Sequence, residues 1–181
     1  GAASGIGLSL AKHAAAKGMN LVLADIDEAA LSTAVGQLNL PADRVLALRT
    51  DVRHAAEIKA LADAAYGKFD AVHLLFNNAG VGGAFGPITE IESDDWDTTF
   101  GVLVRGVFTG TKHAARQMIE QGAGGSIINT ASNSGSAGDL ARIAYGASKG
   151  AIITMTKYIA TQHGLQNIRC NSVAPGVVLT E

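Results

Sequence analysis

Gly1-Ala2-Ala3-Ser4-Gly5-Ile6-Gly7 places three glycines within seven positions at the head of the chain. Leu8, Leu10, Ala11, Ala14 and Ala15 follow at helical spacing, and Gly18 supplies a natural stop. A glycine turn that opens a helix lets backbone N–H groups come close to a pyrophosphate, and the helix N-terminus favours its negative charge. The spacing differs from the commoner G-x-G-x-x-G, and an ordinary glycine-rich turn fits the same residues. Asp25 tips the balance. It closes the apolar run Asn20–Ala24, 18 residues beyond Gly7. That is close to the interval expected of an acid that binds the adenosine ribose hydroxyls of a dinucleotide. A carboxylate there accepts two hydroxyl hydrogen bonds and repels a 2′-phosphate, which points to NAD over NADP. Asp25 would otherwise cap the next helix, but Asp27 is placed for that task.

Strands and helices alternate outward from this stretch. Asn20–Ala24 reads as a buried parallel strand, and a helix runs from Asp27 to about Leu38. Val45–Leu48 is the next strand, ending at Thr50-Asp51-Val52. Residues 54–66 read as helix, with Ile58, Leu61, Ala62 and Ala65 on one face. Ala71–Phe76 is a third strand, ending at Asn77-Asn78-Ala79-Gly80. A glycine-rich loop leads to Ser93-Asp94-Asp95, a helix start with acids at the positive end of the dipole. That helix extends to about Glu120. Ser126–Ala131 is a strand, Tyr145 to Gln162 a second long helix, and Ile168–Val173 the last strand. The alternation predicts an α/β fold: a single-domain, Rossmann-type, doubly wound parallel sheet with helices on both faces. The glycine turn should follow a strand, which would precede Gly1, and residues beyond Glu181 are expected to complete the protein.

Asp51-Val52 and Asn78-Ala79-Gly80 fall at strand ends, where a doubly wound sheet could wall an adenosine. Each alone is equally a turn. Tyr145-Gly146-Ala147-Ser148-Lys149 sets a phenol and an ammonium on one helix face, because residues i and i+4 lie side by side. A neighbouring cation favours the phenolate form of a tyrosine, the form that acts as a base. Tyrosine and lysine at this spacing are also common on solvated faces. Ser132 follows a strand 13 residues before Tyr145, so a hydroxyl and a phenol could meet on one substrate oxygen.

Composition narrows the function classes. Hydrophobic residues make up 48% and charged residues 17%, the balance of a globular chain. A formal charge of −2 gives no electrostatic case for nucleic acid or an anionic membrane. No apolar run approaches the ~18 residues of a membrane span. Cys170, the single cysteine, excludes an intrachain disulfide and fits a cytoplasmic location. The five histidines show no mutual ligand spacing, so no metal is expected.

Taken together, Gly1–Gly7, Asp51-Val52, Asn77–Gly80, Ser132, Tyr145-x3-Lys149 and Asn171-Ser-Val-Ala-Pro-Gly176 resemble the classical short-chain dehydrogenase/reductase family, in order and spacing, over essentially the whole chain. The resemblance implies a nicotinamide cofactor and hydride exchange between a secondary alcohol and a ketone. It makes Tyr145 the general acid/base, with Lys149 beside it and on the nicotinamide ribose, and Ser132 the residue that orients the substrate oxygen. It implies cofactor contacts at Gly1, Ser4, Gly5, Ile6, Asp25, Asp51, Val52, Asn78, Ala79, Gly80, Tyr145, Lys149, Pro175 and Gly176, with Val178 and Thr180 at the carboxamide. It implies a homo-oligomer, a tetramer or dimer, assembled through the helices at 93–120 and 145–162. The expected partner is a small alcohol or ketone.

One position departs from the family pattern. Aligning Trp96-Asp97 and Gly106-Val107-Phe108 puts Leu103 where members often carry an asparagine. That asparagine is understood to kink the helix and hold a water in a proton relay; leucine is expected to do neither. Residues 82–86, with Phe85, and 138–143 are candidates for substrate contacts. A non-catalytic dinucleotide-binding scaffold is the competing reading, although it has no need of Ser132, Tyr145 and Lys149 together. An NADPH-linked 3-oxoacyl carrier-protein reductase is the competing enzyme, and Asp25 speaks against it.

Overall fold

Runs of Leu, Val, Ile and Ala form short parallel strands, and the segments between them form helices. A computed structural model describes residues 1–138 and 142–179. In chain order the elements are α1 (Gly5–Ala16), β1 (Leu21–Asp25), α2 (Glu28–Leu38), β2 (Val45–Arg49), α3 (Ala55–Phe69), β3 (Leu74–Asn77), α4 (Ser93–Phe100), a π turn (Gly101–Arg105), α5 (Gly106–Glu120), β4 (Gly125–Thr130), α6 (Ile143–His163) and β5 (Ile168–Val173). A 3-10 turn, Asn133–Gly135, follows β4. Asp27 caps α2 as its sequence position suggests: its side chain accepts the Ala30 N–H at 2.9 Å.

All pairing between the strands is parallel. β1 lies beside β2, with Leu21 opposite Val45 and Asp25 opposite Arg49. β3, β4 and β5 form a second group in that order, with Asn77 opposite Asn129 and Thr130 opposite Val173. The fold is therefore the expected Rossmann-like α/β arrangement, with its sheet in two parts. An apolar slot of about 580 Å³ separates β1 from β3, lined by Leu21, Leu23, Leu74 and Phe76 from the strands and by Ile58 and Val107 from the helices. β3 starts later than the apolar run predicts. The Gln121 side chain takes both the N–H of Val72, at 3.0 Å, and its carbonyl, at 2.9 Å, so no ladder bonds are left there.

Separate apolar clusters hold the two parts. Ala11, Leu21, Leu23 and Leu31 pack around β1. Ala114, Ala115 and Met118 of α5 pack on Ile127, Ile168 and Cys170. Met118 and Ile127 are wholly buried, each contributing on the order of 1.5–3 kcal/mol by transfer from water. Val107, Ala131 and Ile152 join α5 to α6.

The long helical stretch from Ser93 to Glu120 is continuous but not uniform, because residues 101–105 form a π turn. This corrects the expectation that leucine at 103 leaves the helix regular. The widening occurs without an asparagine there, and Leu103 is 0% exposed inside it. Gly106 begins α5 where Val52 crosses it; a Cβ at that position would lie 3.1 Å from the Val52 side chain.

Candidate active site

Because the strands are parallel, their carboxyl ends gather on one edge of the sheet, and the candidate residues follow those ends. The glycine turn sits between the ends of β1 and β3. The Ala2 N–H donates to the Ala24 carbonyl at 3.0 Å, and the Ala3 N–H to Asp25 Oδ2 at 3.0 Å. A Cβ at Gly1 would lie 2.7 Å from Ala79 Cα, and one at Gly7 would collide with the Gly1 carbonyl oxygen. Gly5 opens α1 with φ +49°, a left-handed conformation suited to glycine. The first N–H groups of α1 have no partner within the helix by construction. Ser4 precedes them in extended conformation and makes no capping bond with its side chain. A tight turn, a helix N-terminus and a neighbouring carboxylate fit the pyrophosphate and ribose of a dinucleotide.

Asp25 has a second task that its sequence position does not reveal. Its carboxylate accepts the N–H of Ala3 and also that of Asp27, at 3.2 Å, so it shapes the turn it stands beside. Burial pushes this carboxyl up, but the Ala3 and Asp27 N–H groups together with the Gly1 ammonium hold Asp25 below the usual carboxylate range. Asp51 is buried and bound to Arg53 by a fork: Nε at 3.1 and 3.0 Å to the two oxygens, and Nη2 at 2.6 Å. Those bonds bring Asp51 down to about 2 against the opposing effect of burial. Glu57 accepts the Asp51 N–H at 2.8 Å and pairs with Arg49 at 2.7 Å. Val52 packs on Gly106.

Asn78 clamps the two parts of the sheet. Its Nδ2 donates to the Gly1 carbonyl at 3.0 Å, and its Oδ1 accepts the Thr130 hydroxyl at 3.1 Å. Ala79 contacts Gly1 as described, and Gly80 faces Leu103, whose Cδ2 would lie 3.3 Å from a Cβ there. One residue back, Asn77 donates to Thr111 Oγ1 at 3.0 Å and to Asn129 Oδ1 at 2.8 Å. Asn129 donates to Thr156 Oγ1 at 2.9 Å. This chain of buried and half-buried amides and hydroxyls crosses from α5 through both strands to α6.

Tyr145 and Lys149 stand one turn apart on α6. Lys149 is 4% exposed. Its Nζ donates to the Thr130 carbonyl at 2.5 Å and lies 5.5 Å from the centre of the Tyr145 ring. Burial pulls this ammonium down to about 8. Ser132 is the N-cap of the 3-10 turn and accepts the Ser134 N–H at 3.2 Å through its Oγ. The turn packs directly on α6: a Cβ at Gly135 would lie 2.7 Å from the Lys149 carbonyl carbon, and one at Gly146 would lie 3.0 Å from the Ser134 carbonyl oxygen. On the other side, Gly83, at φ +75°, brings the glycine-rich loop against Thr99 and the Tyr145 Cβ. Pro175 accepts the Asn133 N–H at 3.1 Å, and Gly176 packs near Asn133 Nδ2, so the segment after β5 is tied to the same turn. Val178 is half exposed; Thr180 lies outside the described residues, as do positions 139–141 of the candidate substrate segment. A phenol beside a buried ammonium, with a serine hydroxyl on the adjoining turn, is an arrangement suited to moving a proton to or from one oxygen.

Thr130, Gly135, Arg53 and Glu57 escape the sequence reading. Thr130 acts through its main-chain carbonyl, which no side-chain pattern advertises. Gly135 is marked only as one small residue among several. Arg53 and Glu57 read as solvated charges until the fold brings them to Asp51. Among the described residues, no helix is long and apolar enough to cross a membrane.

Known proteins share this architecture. The family model for short chain dehydrogenases matches residues 1–181. A relative from Eggerthella lenta, 3beta-hydroxysteroid dehydrogenase 2, is 35% identical over 97% of this chain and 68% of its own length. D-threitol dehydrogenase of Mycolicibacterium smegmatis is 34% identical over 100% of this chain and 69% of that protein. The crystal structure of a short chain dehydrogenase/reductase from Burkholderia phymatum in complex with NAD superposes with a TM-score of 0.92 at 42% identity, covering 99% of this chain and 64% of that one. The chain thus spans about two thirds of the length of these proteins. It belongs to the short chain dehydrogenase family.

Proposed function

From membership of the short chain dehydrogenase family we propose that the chain forms the core of an NAD-dependent oxidoreductase that interconverts a secondary alcohol and a ketone. The observation that carries this reading is the buried Lys149 ammonium, held by the Thr130 carbonyl beside Tyr145, with Ser132 on the turn packed against α6. The relatives' names point to steroid and polyol alcohols, and the Burkholderia phymatum structure to NAD.

The nicotinamide cofactor, when bound, supplies the hydride acceptor or donor. Everything else falls to this chain. Gly1, Ser4, Gly5 and Ile6 hold the pyrophosphate at the N-terminus of α1. Asp25 holds the adenosine ribose and disfavours a 2′-phosphate. Asp51, Val52, Asn78, Ala79 and Gly80 wall the adenosine half; Pro175, Gly176, Val178 and Thr180 meet the nicotinamide end. Tyr145 Oη accepts the alcohol proton in oxidation and returns it in reduction. Ser132 orients the substrate oxygen and steadies charge on it. Lys149 favours the phenolate and reaches the nicotinamide ribose.

Two assembly features accompany the proposal. β1 and β3 both border the apolar slot without pairing to each other, and the strand expected ahead of the glycine turn fits there. Phe108, Ile119 and Tyr158 are exposed on α5 and α6, which supports a homo-oligomer, a tetramer or dimer, joined through these helices; a cytoplasmic location is part of the same proposal. Light scattering tests the assembly, and a clean monomer refutes it.

The decisive assay follows NADH oxidation over a panel of ketones. Tyr145→Phe should lower kcat by about 10²–10⁴-fold while NADH binding persists. No turnover by the wild-type protein on any member of the panel would favour the scaffold reading instead.

A further inference from the structure

A charged group just ahead of α6 has no task in the reading above. Arg142 is the N-cap of that helix, and its carbonyl accepts the Gly146 N–H at 2.9 Å. Its backbone forms an isolated parallel bridge with Gly86, the end of the glycine-rich loop. The residue is therefore fixed from two sides. Its guanidinium carbon lies 5.1 Å from the centre of the Tyr145 ring, and Lys149 Nζ lies 5.5 Å from the same centre. Two cations thus attend one ring.

A cation within about 6 Å of an aromatic centroid is attracted by the ring quadrupole. The attraction grows when the phenol ionises, because full negative charge then spreads over oxygen and ring. An interaction that strengthens as the proton moves favours the reaction, not merely the resting site. The two cations also differ in kind. Lys149 is a buried ammonium that loses its charge at about 8. A guanidinium stays charged throughout any working range.

We propose that Arg142 is a second positioning residue for Tyr145, holding the ring's orientation and stabilising the negative charge on its oxygen while the proton is in transit. The proposal rests on reading Tyr145 as the acid/base. Gly83 of the loop presents no side-chain charge, and the turn beside α6 presents hydroxyls. α4, packed on α6, carries Asp94, Asp95 and Asp97, all exposed, as are Glu90 and Glu92 before it and Arg105 of the π turn.

The test compares wild type, Arg142→Met, Arg142→Lys and Tyr145→Phe. Alcohol oxidation is followed against pH with NAD saturating, and tyrosinate is titrated by ultraviolet absorbance without cofactor. Arg142→Met should lower kcat by about 5- to 30-fold with KM nearly unchanged, and move the acidic limb up by about half to one pH unit. The effect should be largest above pH 8, where Lys149 is neutral, and Arg142→Lys should restore part of it. The tyrosinate signal lost in Tyr145→Phe should move in the same direction. If Arg142→Met does not fold, Arg142→Gln takes its place. Profiles and titrations that superimpose on wild type would overturn the proposal. If Tyr145→Phe leaves turnover intact, the acid/base reading itself fails, and the tyrosinate titration still decides whether Arg142 acts on Tyr145.

Discussion

The part of the molecule built on β1 and β2 and the part built on β3 to β5 use the same strands and helices but hold their polar groups differently. Around β1 and β2 the polar work is done by backbone N–H groups and by carboxylates at strand ends. Asp25 binds the turn it serves, and Asp51 is forked to Arg53, whose side chain is 42% exposed. Around β3 to β5 the polar groups are buried or half-buried and linked: Thr111, Asn77, Asn129 and Thr156 in one line, Thr130 and Lys149 in another. A surface of backbone donors suits a charged ligand that brings its own shape. A buried, satisfied network suits groups that must stay in place through a reaction, because any unpaired member would be costly. The difference separates binding from chemistry within one sheet.

The strongest way to break that comparison is Lys149→Met. Turnover should fall by about 10²-fold or more, with NADH affinity reduced far less; equal losses in both would show that the two parts do not divide the work. The same variant reads the burial of the ammonium. An ordinary lysine titrates at 10.5, and Lys149 at about 8 in the folded protein. The unfolded chain therefore binds this proton more tightly, and stability rises with pH from about 8 to 10.5. Methionine removes the penalty. Thermal melts should place Lys149→Met above wild type at pH 7, by roughly 3 kcal/mol at most because the Thr130 bond offsets part of it. The gap should close towards pH 10.

Asp25→Ser tests the other part. kcat/KM with NADH should drop by about 10- to 100-fold, the worth of hydrogen bonds to a charged acceptor, and the ratio of NADPH to NADH activity should rise. An unchanged ratio would leave Asp25 only its bonds to Ala3 and Asp27. Asn78→Ala cuts the clamp between the parts. Chemical unfolding should lose about 1–3 kcal/mol, and NADH affinity should weaken as the glycine turn loosens. A loss of turnover without either effect would assign Asn78 to the chemistry. The smallest effect belongs to Leu103→Asn. A polar group in this dry position should shift a limb of the pH–rate profile while changing kcat at the optimum by less than about tenfold. An unmoved profile would count against a relay at this position.

Much of the fold is legible because it is written in side chains. Asp27 marks a cap, Leu21 and Leu23 a buried strand, and Tyr145 with Lys149 a helix face. The family resemblance also assembles the candidate site by position. What stays hidden is written in backbone. Lys149 is steadied by the main-chain carbonyl of Thr130, and Gly135 matters for the close approach of α6. Asn78 reads as a strand end beside a cofactor, and only the folded chain reveals that its amide ties Gly1 to Thr130. The π turn is hidden for the same reason. Leu103, buried inside it, carries no sign of it.

That π turn also sets a reading frame. A π turn accommodates an extra residue relative to an α-helix, and each residue advances a helix by about 100°. Thr99 and Leu103 before and within the turn, and Val107, Ala114 and Met118 after it, are all buried. Removing a single residue between 101 and 105 would therefore take out the bulge and leave Met118 on Ile127 and Thr111 beside Asn77, whereas the same deletion within Gly106–Glu120 would rotate everything after it by about 100°. The π turn is thus the one place among the described residues of this helix where the chain can lose a residue and keep its phase.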